Sequence, residues 1–275
     1  MAMSIRTNVA SLNAQKNIMA TEGALNSSLA KLSSGFRITK AGDDAAGLGI
    51  SSNLTAQIAS YNQAARNAAD GVSVIQTAEG ALNETNNILS RLRELAMQSA
   101  SSGVGNTERG YIQNEVTQLI SEVDRVANGT EYNGQKLIDG NVATLTFQVG
   151  IRNVAANDRI SVNTVSATAT ALGVNALSLS TASSAQAALA TIDTAIERVA
   201  TARATLGAAG NRFNTVANTI RTASENLAAG NSRIRDVDVA EETSAMSRAQ
   251  ILVQAGVSVL AQANQMPQMA MKLLG

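Results

Sequence analysis

A seven-residue repeat of apolar side chains runs through the first half of this chain, over about residues 45–99. Heptad spacing places such side chains along one face of a helix that packs against another helix. No proline interrupts this stretch, and the adjacent Asp43 and Asp44 offer oxygen atoms to cap its first turn. We predict one long coiled-coil helix with the following seam: Leu54, Tyr61, Ala68, Ile75, Leu82, Leu89 and Ala96.

A second heptad repeat lies in the last third of the chain and predicts an antiparallel partner helix. Its seam is Ile192, Val199, Leu206, Phe213, Ile220 and Leu227. A helix of about 55 residues is roughly 80 Å long, whereas a compact domain of this chain length has a radius of gyration of about 19 Å. The predicted fold is therefore mainly α, an elongated antiparallel coiled-coil rod.

Shorter elements are predicted between the two long helices. A third helix begins near Thr107, carries its apolar face from Ile112 to Val126, and ends at Asn128-Gly129. Strict alternation of apolar residues from Leu145, followed by a polar turn, predicts a β-hairpin at about residues 144–165. Residues 166–184 are dominated by serine, alanine, threonine and leucine, and they give no assignment beyond a loop or short strands.

Both ends of the chain carry narrow apolar seams. We predict that these helices pack against each other and against neighbouring copies, in a terminal domain of residues 1–43 plus 236–275. The rod domain then comprises residues 44–235. The packing residues are Ile5, Leu12, Met19, Leu25 and Leu32 in the first helix, and Met246, Val253, Leu260 and Leu274 in the last.

The last helix is uncharged over residues 249–271, a length that would cross a membrane. Six side-chain amides within it would remain unsatisfied in hydrocarbon, so we expect no membrane insertion: Gln250, Gln254, Gln262, Asn264, Gln265 and Gln268. A helix with such a narrow seam is only marginally stable alone in water. Polymerisation is the expected way to cover it.

Composition excludes several classes of function. The chain has no cysteine and no histidine, so thiol chemistry, histidine-based triads and ordinary zinc sites are ruled out. Lysine plus arginine equals aspartate plus glutamate at 21 each, which removes the bulk electrostatic attraction to nucleic acid. We predict no catalytic residues, no metal, no cofactor and no enzymatic activity.

Several segments resemble bacterial flagellin. At the amino-terminal end they are residues 32–38 (LSSGFRI), 43–47 (DDAAG), 66–71 (RNAADG), 77–82 (TAEGAL) and 93–96 (RELA). At the carboxy-terminal end they are residues 211–213 (NRF), 246–252 (MSRAQIL) and 262–265 (QANQ). The similarity covers roughly residues 1–140 and 195–275, which implies a short flagellin with little or no outer domain.

The resemblance implies a secreted subunit that polymerises into the extracellular flagellar filament for swimming motility. In that filament the terminal domain forms the inner tube. Export through the flagellar type III channel, an export chaperone, a filament cap and hook-junction proteins are implied as partners. Recognition by an animal Toll-like receptor is implied through Leu89, Arg91, Leu95 and Glu115, although Ser90 replaces the glutamine often found there.

Two other functions remain open on the sequence. A hook-filament junction protein shares the terminal helices, but residues 93–96 and 211–213 favour the filament. A membrane-active helical protein would insert its last helix, and the six amides disfavour that function.

Overall fold

The structure is a computed structural model that describes the backbone of residues 7–274 and the side chains of residues 7–265. Five of its helices are long or of intermediate length: α1 (Val9–Ser34), α2 (Ala45–Ala100), α3 (Asn106–Gly129), α6 (Ala182–Arg235) and α7 (Val239–Leu274). Two single-turn helices, α4 (Ala155–Asp158) and α5 (Ala169–Leu172), lie among the strands and loops. The prediction of a mainly α fold with paired terminal helices is confirmed.

The chain divides into two compact units. The terminal unit comprises Met1–Ala56 with Asn226–Gly275, and the central unit comprises Gln57–Glu225. These bounds differ from the sequence-based division at residues 43 and 236. The first turns of α2 and the last turns of α6 belong to the terminal unit, where the Asn231 amide lies 3.4 Å from the Thr55 hydroxyl.

In the terminal unit, α1 and α7 pack antiparallel to each other. Near one end of the pair, the Asn8 side-chain amide donates to the Ala263 carbonyl at 2.8 Å. Near the other end, Lys31 forms an ion pair with Glu242 at 3.6 Å. Contacts of α1 with α7 therefore move toward lower α7 residue numbers as the α1 residue number increases, as in an antiparallel pair.

A short antiparallel backbone contact joins the segment after α1 to the segment after α6. Gly35 ends α1 with a left-handed φ of 75°, and Phe36 forms an isolated antiparallel bridge with Asp236. The Arg37 amide donates to the Arg235 carbonyl at 2.6 Å, and the Val237 amide donates to the Gly35 carbonyl at 3.0 Å. The Arg235 guanidinium lies 4.2 Å from the centroid of the Phe36 ring. This contact joins residues 35–37, part of the flagellin-like segment 32–38, to residues 235–237 near the other end of the chain.

Asp44 and Asp43 have different roles at the start of α2. The Asp44 carboxylate accepts a hydrogen bond from the Gly47 amide at 2.8 Å, which caps the helix. The Asp43 carboxylate instead accepts from the Thr39 hydroxyl at 2.8 Å and from the Thr39 and Lys40 amides at 3.0 and 3.1 Å. These hydrogen bonds lower the pKa of Asp43, with the Thr39 hydroxyl as the largest cause.

The central unit has a continuous apolar core built from α2, α3 and α6 with the β-strands beside them. Arg109 is a buried cation at the turn between α2 and α3, and its guanidinium donates to the Ser99 and Ser101 carbonyls at 2.9 Å each. The largest buried side chains of α2, α3 and α6 are Leu82, Leu89, Leu92, Leu95, Val116, Val123, Ile192 and Phe213.

Two antiparallel hairpins lie between α3 and α6. The larger consists of β3 (Thr144–Gln148) and β4 (Arg159–Asn163), paired so that Phe147 is opposite Ile160. The alternating pattern therefore identified these strands. The smaller consists of β1 (Glu131–Tyr132) and β2 (Gln135–Lys136) around Asn133-Gly134, where both residues have positive φ. Strands of two residues are too short to leave a periodic pattern, and only the Asn-Gly pair signals this turn.

The segment without a sequence-based assignment, residues 166–184, contains α5 and the first residues of α6. Gly173 ends α5 with a φ of 82°. Leu172, Val174 and Leu179 are buried. Tertiary packing, rather than local periodicity, orders this segment.

Candidate assembly surfaces

The face of α1 that packs toward α7 consists mainly of small or polar side chains. On α7, the less exposed face has alternating small and larger residues. Gly256 permits a close approach, because a Cβ atom there would lie 2.8 Å from Cγ1 of Ile18. The α1–α7 seam is Ser11, Ala14, Ile18, Thr21, Leu25, Ser28 and Leu32 with Met246, Ala249, Val253, Gly256, Leu260 and Ala263.

The terminal packing residues selected from the sequence divide into two groups. Leu25 and Leu32, together with Met246, Val253 and Leu260, are half-buried on the α1–α7 seam. In contrast, Leu12 and Met19 are 55% and 70% exposed and do not lie in it. Apolar size alone does not identify the α1 seam, because its positions alternate at three- and four-residue spacing and carry both small residues, such as Ser11 and Ser28, and large ones, such as Leu25. Ile5 and the Leu274 side chain lie outside the described residues.

Several large apolar side chains of α1 and α7 lie outside the seam and are exposed to solvent in the single chain. On α7, Ile251 is 65% exposed and Leu252 is 52% exposed. Clustered exposed apolar residues mark surfaces that bind other proteins. The outward apolar set consists of Val9, Leu12, Met19 and Leu29 on α1 and Ile251, Leu252, Val257 and Val259 on α7.

The predicted rod-domain seam falls on the inner faces of α2 and α6. Ten of its thirteen members are buried: Ala68, Ile75, Leu82, Leu89, Ala96, Ile192, Val199, Leu206, Phe213 and Ile220. Leu54, Tyr61 and Leu227 are half-buried. The β3–β4 hairpin reaches this seam because Phe147 packs edge-on against Phe213, with ring centroids 5.3 Å apart.

Polar contacts within the flagellin-like motifs add to this core. The Asn67 amide donates to the Gln148 carbonyl at 2.8 Å and so fixes the end of β3 to α2.

Two polar residues that no sequence pattern indicates, Ser99 and Gln113, form hydrogen bonds with the backbone just before α6. The Ser99 hydroxyl donates to the Leu179 carbonyl at 2.6 Å, and the Gln113 side-chain oxygen accepts from the Leu179 amide at 2.6 Å.

The four residues implied in receptor recognition do not form one exposed set. Leu89 and Leu95 are buried in the central core. Arg91 and Glu115 are exposed and form an ion pair between α2 and α3 at 2.9 Å. Arg91 also pairs with Glu94 at 3.0 Å, and the hydrogen bonds to Glu94 and then Glu115 raise the pKa of Arg91.

No helix in the described part of the chain is both long and apolar enough to cross a membrane. Over the same residues, no group of three potential metal ligands occurs.

Family models match both ends of the chain. The bacterial flagellin N-terminal helical region matches residues 5–143, and the bacterial flagellin C-terminal helical region matches residues 189–274. The chain belongs to the flagellin family. The α1–α7 pair and the α2–α6 pair both combine one N-terminal with one C-terminal family segment.

Full-length relatives support the same assignment. The chain is 42% identical to a flagellin of Halalkalibacterium halodurans, with 99% of this chain and 100% of the relative covered. It is 40% identical to the flagellar filament 33 kDa core protein of Treponema phagedenis, with the same coverage. The prediction of a short flagellin without a large outer insertion is confirmed.

A hook-associated protein has a similar fold. The structure of a putative flagellar hook-associated protein from Vibrio parahaemolyticus aligns with a TM-score of 0.59, at 14% identity, over 70% of this chain and 100% of that protein. Identity this low shows the fold alone.

This flagellin is a structural subunit that polymerises into the bacterial flagellar filament, which is extracellular.

Proposed function

We propose that the outward apolar faces of α1 and α7 bind neighbouring copies and form the inner tube of the filament. The α1–α7 seam holds the two ends of one chain together, and the long helices of the central unit form the surrounding wall. The observation that carries this proposal is the exposure of large apolar residues such as Met19 and Ile251, which lie outside the α1–α7 seam.

The energetics support contacts between copies. Burying one leucine, isoleucine, valine or methionine side chain stabilises by about 1.5–3 kcal/mol. The eight members of the outward apolar set stay largely in water in a single chain, so association has much apolar surface to remove from water.

Substitution of Leu252 by serine tests the proposal. Leu252 is 52% exposed, so Leu252→Ser should leave the monomer folded and prevent filament growth. Ala255→Ser is the matched control, because Ala255 is exposed on the same helix and has no large side chain to lose. Electron microscopy and sedimentation should give long tubes for the control only. Normal tubes from Leu252→Ser, Ile251→Ser and Met19→Ser alike would exclude the outward faces as contacts.

Persistent monomers of the parent protein under polymerising conditions would favour the hook-filament junction function. The membrane-active alternative predicts binding of the parent protein to neutral liposomes. We expect no liposome binding, because the side-chain amides of α7 remain unsatisfied in hydrocarbon.

The other proposed properties follow from a purely structural role. We propose no catalytic, metal or cofactor site, because the role of the chain is to pack against other copies.

Secretion uses the flagellar type III channel, with an export chaperone bound to the apolar face of α7 before assembly. A filament cap and a hook-junction protein bind the same terminal helices at the two ends of the filament. Loss of chaperone binding in Leu252→Ser, but not in Ala255→Ser, would support the chaperone assignment.

We propose that a Toll-like receptor of animal hosts recognises the two exposed residues among the four implied by the flagellin resemblance. Arg91 and Glu115 present a fixed ion pair to solvent, whereas the buried Leu89 and Leu95 position the helices beneath it. Receptor signalling should fall with Arg91→Ala and remain with Arg125→Ala, an exposed arginine on α3. An unchanged response to Arg91→Ala would remove this assignment.

A further inference from the structure

An open helical polymer requires two different complementary surfaces on one subunit, because each copy contacts the next head to tail. The outward apolar set belongs to the terminal unit. The central unit must provide its own contact if it forms a wall. Its surface therefore needs a protruding group in one place and a groove that accepts it in another.

Tyr111 is the protruding group. It lies on α3 and is 69% exposed, more than the other exposed large apolar residues described in the central unit, Met97 at 54% and Val154 at 46%. Tyrosine is enriched at protein interfaces because its ring gives a large rigid contact and its hydroxyl can form hydrogen bonds. An aromatic side chain so fully in water, on a subunit that polymerises, indicates a contact with another molecule.

The surroundings of Tyr111 are acidic. Glu108 and Glu115 lie three positions before and four positions after it, which places them on the same face of α3. Arg91 and Glu94 adjoin Glu115 through their ion pairs. Three carboxylates and one guanidinium leave this patch with two negative charges in excess.

Several grooves of the central unit are large enough to hold an aromatic ring, and three of them differ in charge. A groove of about 500 Å³ has Glu197 beside Arg198. Another of about 410 Å³ has Asp158 beside Arg152. In each of these two grooves the carboxylate offsets the arginine beside it, so neither attracts Glu108 and Glu115 as strongly as a groove with an arginine alone.

The third groove, between α2 and α6, has a volume of about 540 Å³ and only one charged residue, Arg221. Its floor is formed by small or β-branched apolar residues, Ala65, Ala68, Val72 and Ala217. The amides of Asn214 and Asn218 line it as well, and they offer partners to a phenolic hydroxyl. We name it the alanine groove.

We propose that Tyr111 of one copy inserts into the alanine groove of a neighbouring copy, with Glu108 or Glu115 near Arg221. This contact rests on polymerisation of the chain and adds a central-unit interface to the terminal contacts proposed above. The small residues of the groove permit close approach of a ring, and the opposite charges orient it.

Engineered cysteines test the contact directly, because the natural chain has none. Asn114→Cys lies one turn from Tyr111, and Asn218→Cys lies at the alanine groove, so the ring and most of the groove remain intact. Filaments of this double variant, oxidised by copper and oxygen, should give a ladder of linked subunits in denaturing gels. The mismatched control is Asn114→Cys with Thr201→Cys, at the groove that contains Glu197. Filaments that form without a ladder, or an equal ladder from the mismatched pair, would overturn the contact.

Critical concentrations for assembly give a second, independent readout. Tyr111→Ser should raise the critical concentration at least ten-fold, whereas Tyr111→Phe should raise it less, since it keeps the ring. Arg221→Glu should raise it several-fold, and Arg212→Glu, an exposed arginine on the same helix outside the groove, should not. Unchanged assembly of Tyr111→Ser would contradict the contact even if Leu252→Ser abolishes filaments, so the two proposals can fail separately.

Discussion

The ring of Phe213 on α6 occupies the space that a side chain at Gly71 on α2 would fill. A Cβ atom built at Gly71 would lie 2.7 Å from both Cε1 and Cζ of that ring. The ring is fully buried and also contacts Phe147 of the hairpin, so it has little room to move. Gly71 and Phe213 belong to the flagellin-like segments 66–71 and 211–213, and their pairing gives those segments a physical role.

Gly71→Ala should therefore destabilise the monomer, although alanine favours helices. Overpacking a buried site costs about 1–3 kcal/mol, and the helix propensity of alanine offsets up to about 1 kcal/mol of that cost. Gly80→Ala is the matched control on α2, because no atom lies within 4 Å of its added Cβ. It should stabilise by about 0.5–1 kcal/mol. Urea unfolding of monomers followed by circular dichroism measures both, and equal shifts would contradict the packing explanation.

Arg109→Lys should loosen the turn between α2 and α3. The Arg109 guanidinium donates to the Ser99 and Ser101 carbonyls at 2.9 Å each, and to the Asn106 side chain at 3.2 Å. A lysine ammonium cannot reproduce that fork, and each buried carbonyl left unpaired costs about 1–3 kcal/mol. The exposed pair Arg125 and Glu122 provides the comparison: Arg125→Lys should change the free energy of unfolding by less than about 0.5 kcal/mol. Similar losses from both variants would mean that burial of Arg109 is unimportant.

Leu260→Lys should separate the terminal helices and prevent assembly. Leu260 is half-buried on the α1–α7 seam, where an added ammonium group would lose hydration without a partner. Hydrogen exchange should report lower amide protection in α1, while α2 and α6 keep theirs. Ala261→Lys changes an exposed neighbour and should preserve protection in α1. Normal filaments from Leu260→Lys would refute the role of the seam.

The loop before α2 should weaken in acid through Asp43. The pKa of this carboxyl is lowered in the folded chain, first by the Thr39 hydroxyl. A lowered folded pKa means that its stabilising effect is present above the ordinary value of 3.8 and is lost as pH falls through the folded pKa. Asp43→Asn should therefore lose less stability between neutral and acid pH than the parent. Carboxyl titration by NMR should place the pKa of Asp43 higher in Thr39→Val, and an unmoved pKa would contradict this cause.

The elements that the sequence predicts well are those whose signal repeats along the chain. The seam from Leu54 to Ala96 and its counterpart on α6 recur at every seventh position, and the Leu145 alternation recurs at every second one. The β1–β2 hairpin and α5 are too short to repeat anything. Residues 166–184 are ordered by contacts with distant residues such as Arg198, whose guanidinium donates to the Ala171 carbonyl at 2.6 Å.

The sequence by itself determined that the long helices form, the hairpin and the family, because periodicity and signature motifs are local properties. It also determined that the terminal helices pair. Only the tertiary structure decided which side of α1 faces α7. There Ile18 lies against Gly256 while Met19, the next residue, points to solvent. Neighbouring positions on a helix point in different directions, so two apolar residues of similar size end up on opposite sides of the interface, and only the packed structure shows which is covered.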